Sequence, residues 1–257
     1  MNVIKLCGGL GNQLFQYAFG KAQMINGINV CFDNSWYTTH SSANPLRLYL
    51  LDKFQIELKL SNKQPGKTIS EKGYDLSLLH KDGYNFNGYW QYPAYSEKIL
   101  PILRKEYCVR KELFTREFLC LREKIIMDDK SVAIHVRRGD YLYLEGFPSQ
   151  PFEYYQKAME KLNGNFYVFS DDMNWCKENF KGVQFIHLNE YFDFELMKLC
   201  THNIASRSSF SWWAAHLNSN PNKVVIIPKQ QLECKVRMKA VDKESEVFDP
   251  KEWIHAD

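Results

Sequence analysis

The hydrophobic pattern of this chain changes period from segment to segment, and the changes mark its elements. Val3–Cys7 is a short, largely apolar run with β-branched residues, followed at once by Gly8, Gly9 and Gly11. Leu14, Phe15, Ala18, Phe19, Ala22 and Ile25 then recur at the spacing of one helix face, and Gly27 stands where a helix stop is expected. Apolar residues resume at Val30–Phe32 as a strand. Residues 34–124 carry no clean period; helices are read at Ser96–Tyr107 and Phe114–Lys124. From Ser131 the alternation is regular. Strands are expected at Val132–Val136, Phe166–Ser170, Val183–Leu188, Ile204–Ser206 and Val224–Pro228. Helices are expected at Pro151–Leu162, Asn174–Phe180, Phe194–Thr201 and Trp212–Leu217.

Strands alternating with helices imply parallel sheet covered on both faces, hence an α/β fold. Ligands of such sheets bind beyond the carboxyl ends of the strands. Met127–Lys130 reads as the joint between a first domain, residues 1–128, and a second, residues 129–257.

Composition narrows the function classes. A net charge of +3 over 257 residues lacks the basic excess of a nucleic-acid binder. The seven cysteines are scattered, odd in number and without a CxxC pair, which disfavours a disulfide framework or a zinc site and suits reduced thiols. No run of about 18 apolar residues occurs, and the first ten residues show no cleavable apolar segment. The expectation is a cytoplasmic protein, with peripheral membrane attachment left open.

Four motifs follow strands. His135-Val136-Arg137-Arg138-Gly139-Asp140-Tyr141 ends an apolar strand in two guanidiniums, which bind phosphate oxygens bidentately and stabilise a departing diphosphate. A surface turn with an arginine–aspartate pair is the plain alternative. Gly8-Gly9-Leu10-Gly11-Asn12-Gln13 matches neither GxGxxG nor a P-loop. Its glycines allow close backbone approach, and Asn12 and Gln13 offer two amides at a helix start. Ser206-Arg207-Ser208-Ser209-Phe210-Ser211-Trp212-Trp213 supplies caps to a helix, and the same N–H groups and hydroxyls suit a phosphate. The two tryptophans cannot share one helix face, so at least one is expected in the core. Ser170-Asp171-Asp172 suits a metal, a base such as guanine, or a helix N-cap. With no D-x-D triplet, Arg137 and Arg138 would supply the positive charge that a metal otherwise brings. Asn87-Gly88-Tyr89-Trp90-Gln91 is a polar-aromatic patch suited to a second substrate.

Taken in chain order, the motifs, together with Gly88-Tyr89-Trp90-Gln91, resemble the α-1,2-fucosyltransferase family, glycosyltransferase family 11. The resemblance spans residues 3–230. It implies a GT-B arrangement: two facing Rossmann-like domains, the first on the acceptor side and the second binding the GDP-sugar, with the active site in their cleft. It implies GDP-fucose as donor substrate, a galactoside-containing glycan as acceptor, inversion, and neither metal nor cofactor. Arg137 is expected on the β-phosphate, supported by Arg138, with His135 and Asp140 shaping the site and Asp140 a candidate base. Ser170, Asp171 and Asp172 match positions that contact guanine, and Ser208, Ser209 and Phe210 a phosphate-binding turn. Gly9, Gly11, Asn12 and Gln13 would face the fucose. Arg207 and His216 depart from the family pattern, which usually has asparagine and tryptophan there.

Overall fold

The structure, a computed structural model, describes residues 1–40, 46–63, 66–143, 149–229 and 249–256. Cys234 lies outside them. The chain forms two compact units, one built on Met1–Arg110 and one that begins at Lys111.

The first unit contains β1 (Asn2–Lys5), α1 (Leu10–Ile25), β2 (Val30–Asp33), a single turn α2 (Trp36–Thr39), β3 (Thr68–Ser70), β4 (Asn85–Asn87) and α3 (Leu100–Glu106). Its strands are parallel in the order β2-β1-β4-β3. The chain moves from β1 to β2 on one side, then places β3 and β4 on the other. The topological switch point is therefore at β1 and β4. α1 buries most of its residues because its apolar stripe is broad. Phe19 stacks on Trp90 at 4.5 Å and meets Phe86 and Tyr95 edge-on, while Tyr17 stacks on Phe32. Gly27, at φ 83°, donates its N–H to Met24 and ends the helix as the sequence pattern predicts.

The second unit contains α4 (Arg116–Met127), β5 (Ser131–Val136), α5 (Phe152–Glu160), β6 (Asn165–Ser170), α6 (Met173–Asn179) and β7 (Gln184–Ile186). It continues with α7 (Glu190–Leu199), β8 (His202–Ile204), α8 (Ser209–Leu217), β9 (Val225–Pro228) and β10 (Ile254–Ala256). The strands are parallel in the order β10-β9-β8-β5-β6-β7. β5 is central and every one of its residues is buried, as expected of a parallel strand covered on both faces. The switch point lies at β5 and β8. α4 packs on α7 through Phe118 and Phe192, stacked at 4.4 Å, and so belongs with this unit. The packing division thus falls at Arg110, ahead of the sequence-based joint at 128.

Three strands have no signal in the sequence pattern: β3, β4 and β10, each three residues long and too short to show a period. α7 starts four residues before the expected Phe194, because Asn189 caps it by accepting the Phe192 N–H at 3.0 Å. Both tryptophans of α8 are buried, one more than helix geometry demanded. His216 stacks on Trp212 at 4.5 Å.

Candidate active site

The carboxyl ends of β5, β6 and β8 bring one constellation together in the second unit. β5 delivers His135 and, just past its end, Arg137 and Arg138. β6 ends at Ser170 and delivers Asp171 and Asp172; β8 leads into Ser206 and the cap of α8.

Arg137 is tied down on two sides. Its Nη2 donates to Asp140, and its Nη1 pairs with Asp171 Oδ2 at 2.7 Å. The guanidinium also lies 5.3 Å from the centre of the Tyr141 ring. Arg138 donates its Nε to Asp172 Oδ2 at 3.0 Å and stacks over Trp175 at 4.2 Å. Both arginine side chains are 17% exposed. Asp171 is the hub of this turn, since its Oδ1 also accepts the Arg138 backbone N–H at 2.9 Å. Its carboxylate fills the space beside Gly139, where a Cβ would meet Asp171 Oδ2 at 2.5 Å. Asp172 also caps α6 by accepting the Trp175 N–H, and Ser170 Oγ accepts the Asp172 N–H.

Two guanidiniums thus face three carboxylates, a side-chain balance of one negative charge. The arginines are paired inside the protein here. A diphosphate bound here would compete with Asp140 and Asp171 for the Arg137 guanidinium. The N-terminal end of α8, with its helix dipole, is the further source of positive potential.

His135 lies behind this surface and is almost wholly buried. Burial, aided by the Arg137 charge, pushes its pKa down to about 3, so the ring is neutral. Its Nδ1 hydrogen-bonds Ser206 Oγ at 2.8 Å, and its ring packs on Phe210 at 5.2 Å. Ser211 Oγ donates to the Ser206 and Ser208 carbonyls, and Ser208 Oγ accepts the Phe210 N–H. Tyr141 hydroxyl donates to the Arg207 carbonyl at 3.0 Å. His135 therefore shapes the 206–211 turn from beneath, as an uncharged support. Tyr141, Ser206 and Ser211 stand in the motifs already named, whereas Trp175 joins the constellation without having been singled out. For Trp175 a signal existed: it stands three residues after Asp172, on the first turn of a helix.

The glycine-rich turn forms a second cluster, at the switch point of the first unit. Gly8 takes φ 78°, and a Cβ there would meet Asn12 Nδ2 at 2.5 Å. Gly9 accepts the Asn12 and Gln13 N–H groups as α1 begins. Gly11 is buried and Asn12 half-buried. Gln13 is wholly buried: its Nε2 donates to the Gly8 and Leu48 carbonyls and its Oε1 accepts the Leu50 N–H. In this structure the Gln13 amide therefore braces the turn, and the ligand-facing role expected of it is not what its contacts show. Gln16, also buried, accepts the Cys7 N–H and donates to the Gly88 carbonyl. Gln91 Nε2 donates to Asn12 Oδ1 at 2.7 Å and joins the turn to the loop after β4. In that loop Trp90 adopts φ 55°, a conformation that costs a bulky residue roughly 1–3 kcal/mol. Glu71, just past β3, offsets this by accepting the N–H of Tyr89 at 2.7 Å and of Trp90 at 3.1 Å.

Two α/β units on parallel sheets, the second carrying paired arginines and a serine-rich helix cap at its switch point, have the architecture of GT-B glycosyltransferases. Glycosyl transferase family 11 matches residues 1–256, and the chain belongs to that family. It is 28% identical to the α-1,2-colitosyltransferase of Escherichia coli over 98% of this chain and 97% of that protein. It is 29% identical to galactoside α-(1,2)-fucosyltransferase 2 of Rattus norvegicus, over 84% of this chain and 67% of the rat protein. The fold is similar to that of the fucosyltransferase NodZ from Bradyrhizobium. That match has a TM-score of 0.53 at 12% identity and covers 83% of this chain and 91% of NodZ. Among the described residues no helix is long and apolar enough to cross a membrane.

Proposed function

We propose that this glycosyltransferase moves L-fucose from GDP-β-L-fucose to the 2-hydroxyl of a terminal β-galactoside, with inversion and without a metal ion. The carrying observation is the pair Arg137 and Arg138, held among Asp140, Asp171 and Asp172 at the strand ends. Two relatives support it: the rat protein is a galactoside α-(1,2)-fucosyltransferase, and NodZ has been crystallised with GDP.

In this reading the β-phosphate takes the place of a carboxylate on Arg137, and the positive end of the α8 dipole at the Ser208–Phe210 turn receives the remaining phosphate charge. Ser208 keeps that turn in shape. Asp171 and Asp172 retain Arg138 and leave lone pairs for the guanine N–H groups. The bond from the anomeric carbon to the β-phosphate oxygen breaks as the acceptor oxygen attacks from the opposite face. The transition state is oxocarbenium-like, by analogy with glycoside hydrolysis. Rate comes from orientation and from stabilising the GDP that leaves. Asp140 is the candidate base for the acceptor proton. His135 is a positioning residue; its neutral ring adds no charge to the phosphate site.

A second reading is favoured by the near-complete overlap with the colitosyltransferase: the same transfer with colitose as the donor sugar. One assay separates them. The purified chain is incubated with GDP-fucose, GDP-colitose or GDP-mannose and a panel of β-galactosides, and the product linkage is determined by NMR. An α-1,2-fucosylated galactoside supports the proposal, preference for GDP-colitose selects the second reading, and tight GDP binding with no product from any pair overturns both.

A further inference from the structure

The first unit has its own strand-end cluster, and the donor chemistry above does not use it. β1 and β4 lie side by side at the switch point, where open parallel sheets take their ligands. The loops that leave them are tied together by the Gln91–Asn12 and Gln16–Gly88 hydrogen bonds. On the far side of β4, β3 leads directly into Glu71, whose own N–H donates to the Asn87 carbonyl at 3.0 Å.

Two consecutive N–H groups, Tyr89 and Trp90, converge on the two oxygens of the Glu71 carboxylate. Successive backbone N–H groups around a residue with positive φ form a concave nest for an anion, and Glu71 is the built-in anion. The fit is close: a Cβ on Gly88 would meet Glu71 Cβ at 2.5 Å and Trp90 Cε2 at 3.1 Å. The Trp90 indole is wholly buried against Phe19, which anchors the turn inward. Tyr89, one residue earlier in the same turn, is 46% exposed. Tyr74 is also exposed and lies 5.6 Å from Tyr92, which follows the same turn.

An exposed tyrosine pairs an apolar ring face with a polar hydroxyl, which matches a pyranose with one C–H face and a rim of hydroxyls. We propose that Glu71 is a positioning residue for a saccharide subsite in the first unit: its carboxylate holds the strained 88–91 turn so that the Tyr89 ring receives the acceptor sugar. The subsite rests on the reading of the chain as a galactoside-directed transferase. Glu71 acts through Tyr89 and touches no substrate. A carboxylate is needed because a Gln side chain presents one acceptor and one donor, and so satisfies only one of the two N–H groups.

The test is a double-mutant cycle. Wild type, Glu71→Gln, Tyr89→Ala and the double variant are compared for acceptor KM and kcat with lactose, for lactose binding by calorimetry, and for Tm. The expected result is a rise in acceptor KM of at least tenfold for either single variant, with kcat changed less. The double variant is then no worse than Tyr89→Ala alone, since both changes remove one contact. Tyr89→Phe keeps most of the affinity. Additive KM effects, or a Glu71→Gln variant that loses Tm but keeps its KM, overturn the proposal. If Glu71→Gln does not fold, an unchanged lactose affinity in Tyr89→Ala is decisive against it. Lactose binding that depends on Tyr89 and Glu71, without fucose transfer, would retain the subsite and reject the proposed reaction. Fucose transfer with no such dependence would do the reverse.

Discussion

Two buried titratable groups in the second unit oppose one another, and separating them tests the electrostatics behind the candidate site. His135 is held neutral, its pKa pushed from 6.5 down to about 3 by burial and by Arg137. A group whose folded pKa is depressed contributes stability above its unfolded pKa, and that stability is lost as pH falls toward the folded value. Between pH 7 and pH 5 the unfolded imidazole takes up its proton and the folded one does not, which removes about 2 kcal/mol. Asp193 on α7 behaves in the opposite sense. Burial raises its carboxyl to about 7, against the Leu188 N–H that it accepts at 3.1 Å, with Glu190 adding to the rise. Its stability is present at low pH and lost as pH rises through 7. Acidification from pH 7 to pH 5 therefore returns about 2 kcal/mol.

In the wild type the two contributions offset each other. Replacement exposes them. His135→Asn keeps an amide where Nδ1 meets Ser206 and cannot titrate, so its stability rises by about 2 kcal/mol relative to wild type on going from pH 7 to pH 5. Asp193→Asn falls by a similar amount. Urea unfolding at pH 7, 6 and 5, followed by circular dichroism, reads the difference directly. Because the comparison is of slopes, any constant cost of either substitution cancels. Parallel pH curves for wild type and His135→Asn would show that His135 titrates normally in the fold, and the argument for a neutral support beneath the phosphate turn would fall.

Three other outcomes are expected. Gly20→Ala improves helix propensity but places a Cβ 2.7 Å from Phe32 Cζ and 3.1 Å from Ile4 Cγ1. It should destabilise the protein by about 1–3 kcal/mol in chemical unfolding, and a gain in stability would contradict the packing of α1. Gln13→Ala removes the partner of the Leu48 carbonyl and the Leu50 N–H inside the first unit, while the Gly8 carbonyl keeps the Tyr37 hydroxyl. A loss of about 2–4 kcal/mol is expected, and a stable variant with altered donor KM alone would restore Gln13 to the ligand. Chelation with EDTA should leave transfer unchanged; loss of activity with recovery on adding Mn²⁺ would assign Asp171 and Asp172 to a metal.

The second unit was readable in advance because β5, β6 and β9 are mostly apolar runs. β5 and β9 are buried throughout and β6 over its last four residues, and the polar motifs after β5 and β6 lie at strand ends. The first unit was less readable for a physical reason. β3 and β4 hold three residues each, one of them apolar in either case, and their stability comes from pairing with neighbours distant in sequence. That hid the switch point beside β1, and with it Glu71, which carries no motif and is recognisable only once two N–H groups converge on it. Individual roles were harder still. Residue type alone does not separate half-buried Asn12, joined to Gln91, from Gln13, sealed inside the turn. Nor does it show that His135 is a neutral brace beside two charged arginines.

The central claim is that the Arg137 guanidinium leaves its carboxylates to hold the pyrophosphate of a nucleotide sugar. Calorimetric titration of wild type and Arg137→Ala with GDP and with guanosine tests it most directly. The account predicts that wild type prefers GDP, and that Arg137→Ala loses at least tenfold in GDP affinity while its guanosine affinity holds, the size expected of a hydrogen-bonded charge pair. Equal GDP affinity in the two proteins would leave Arg137 as a partner of Asp140 and Asp171 alone, and would contradict the account.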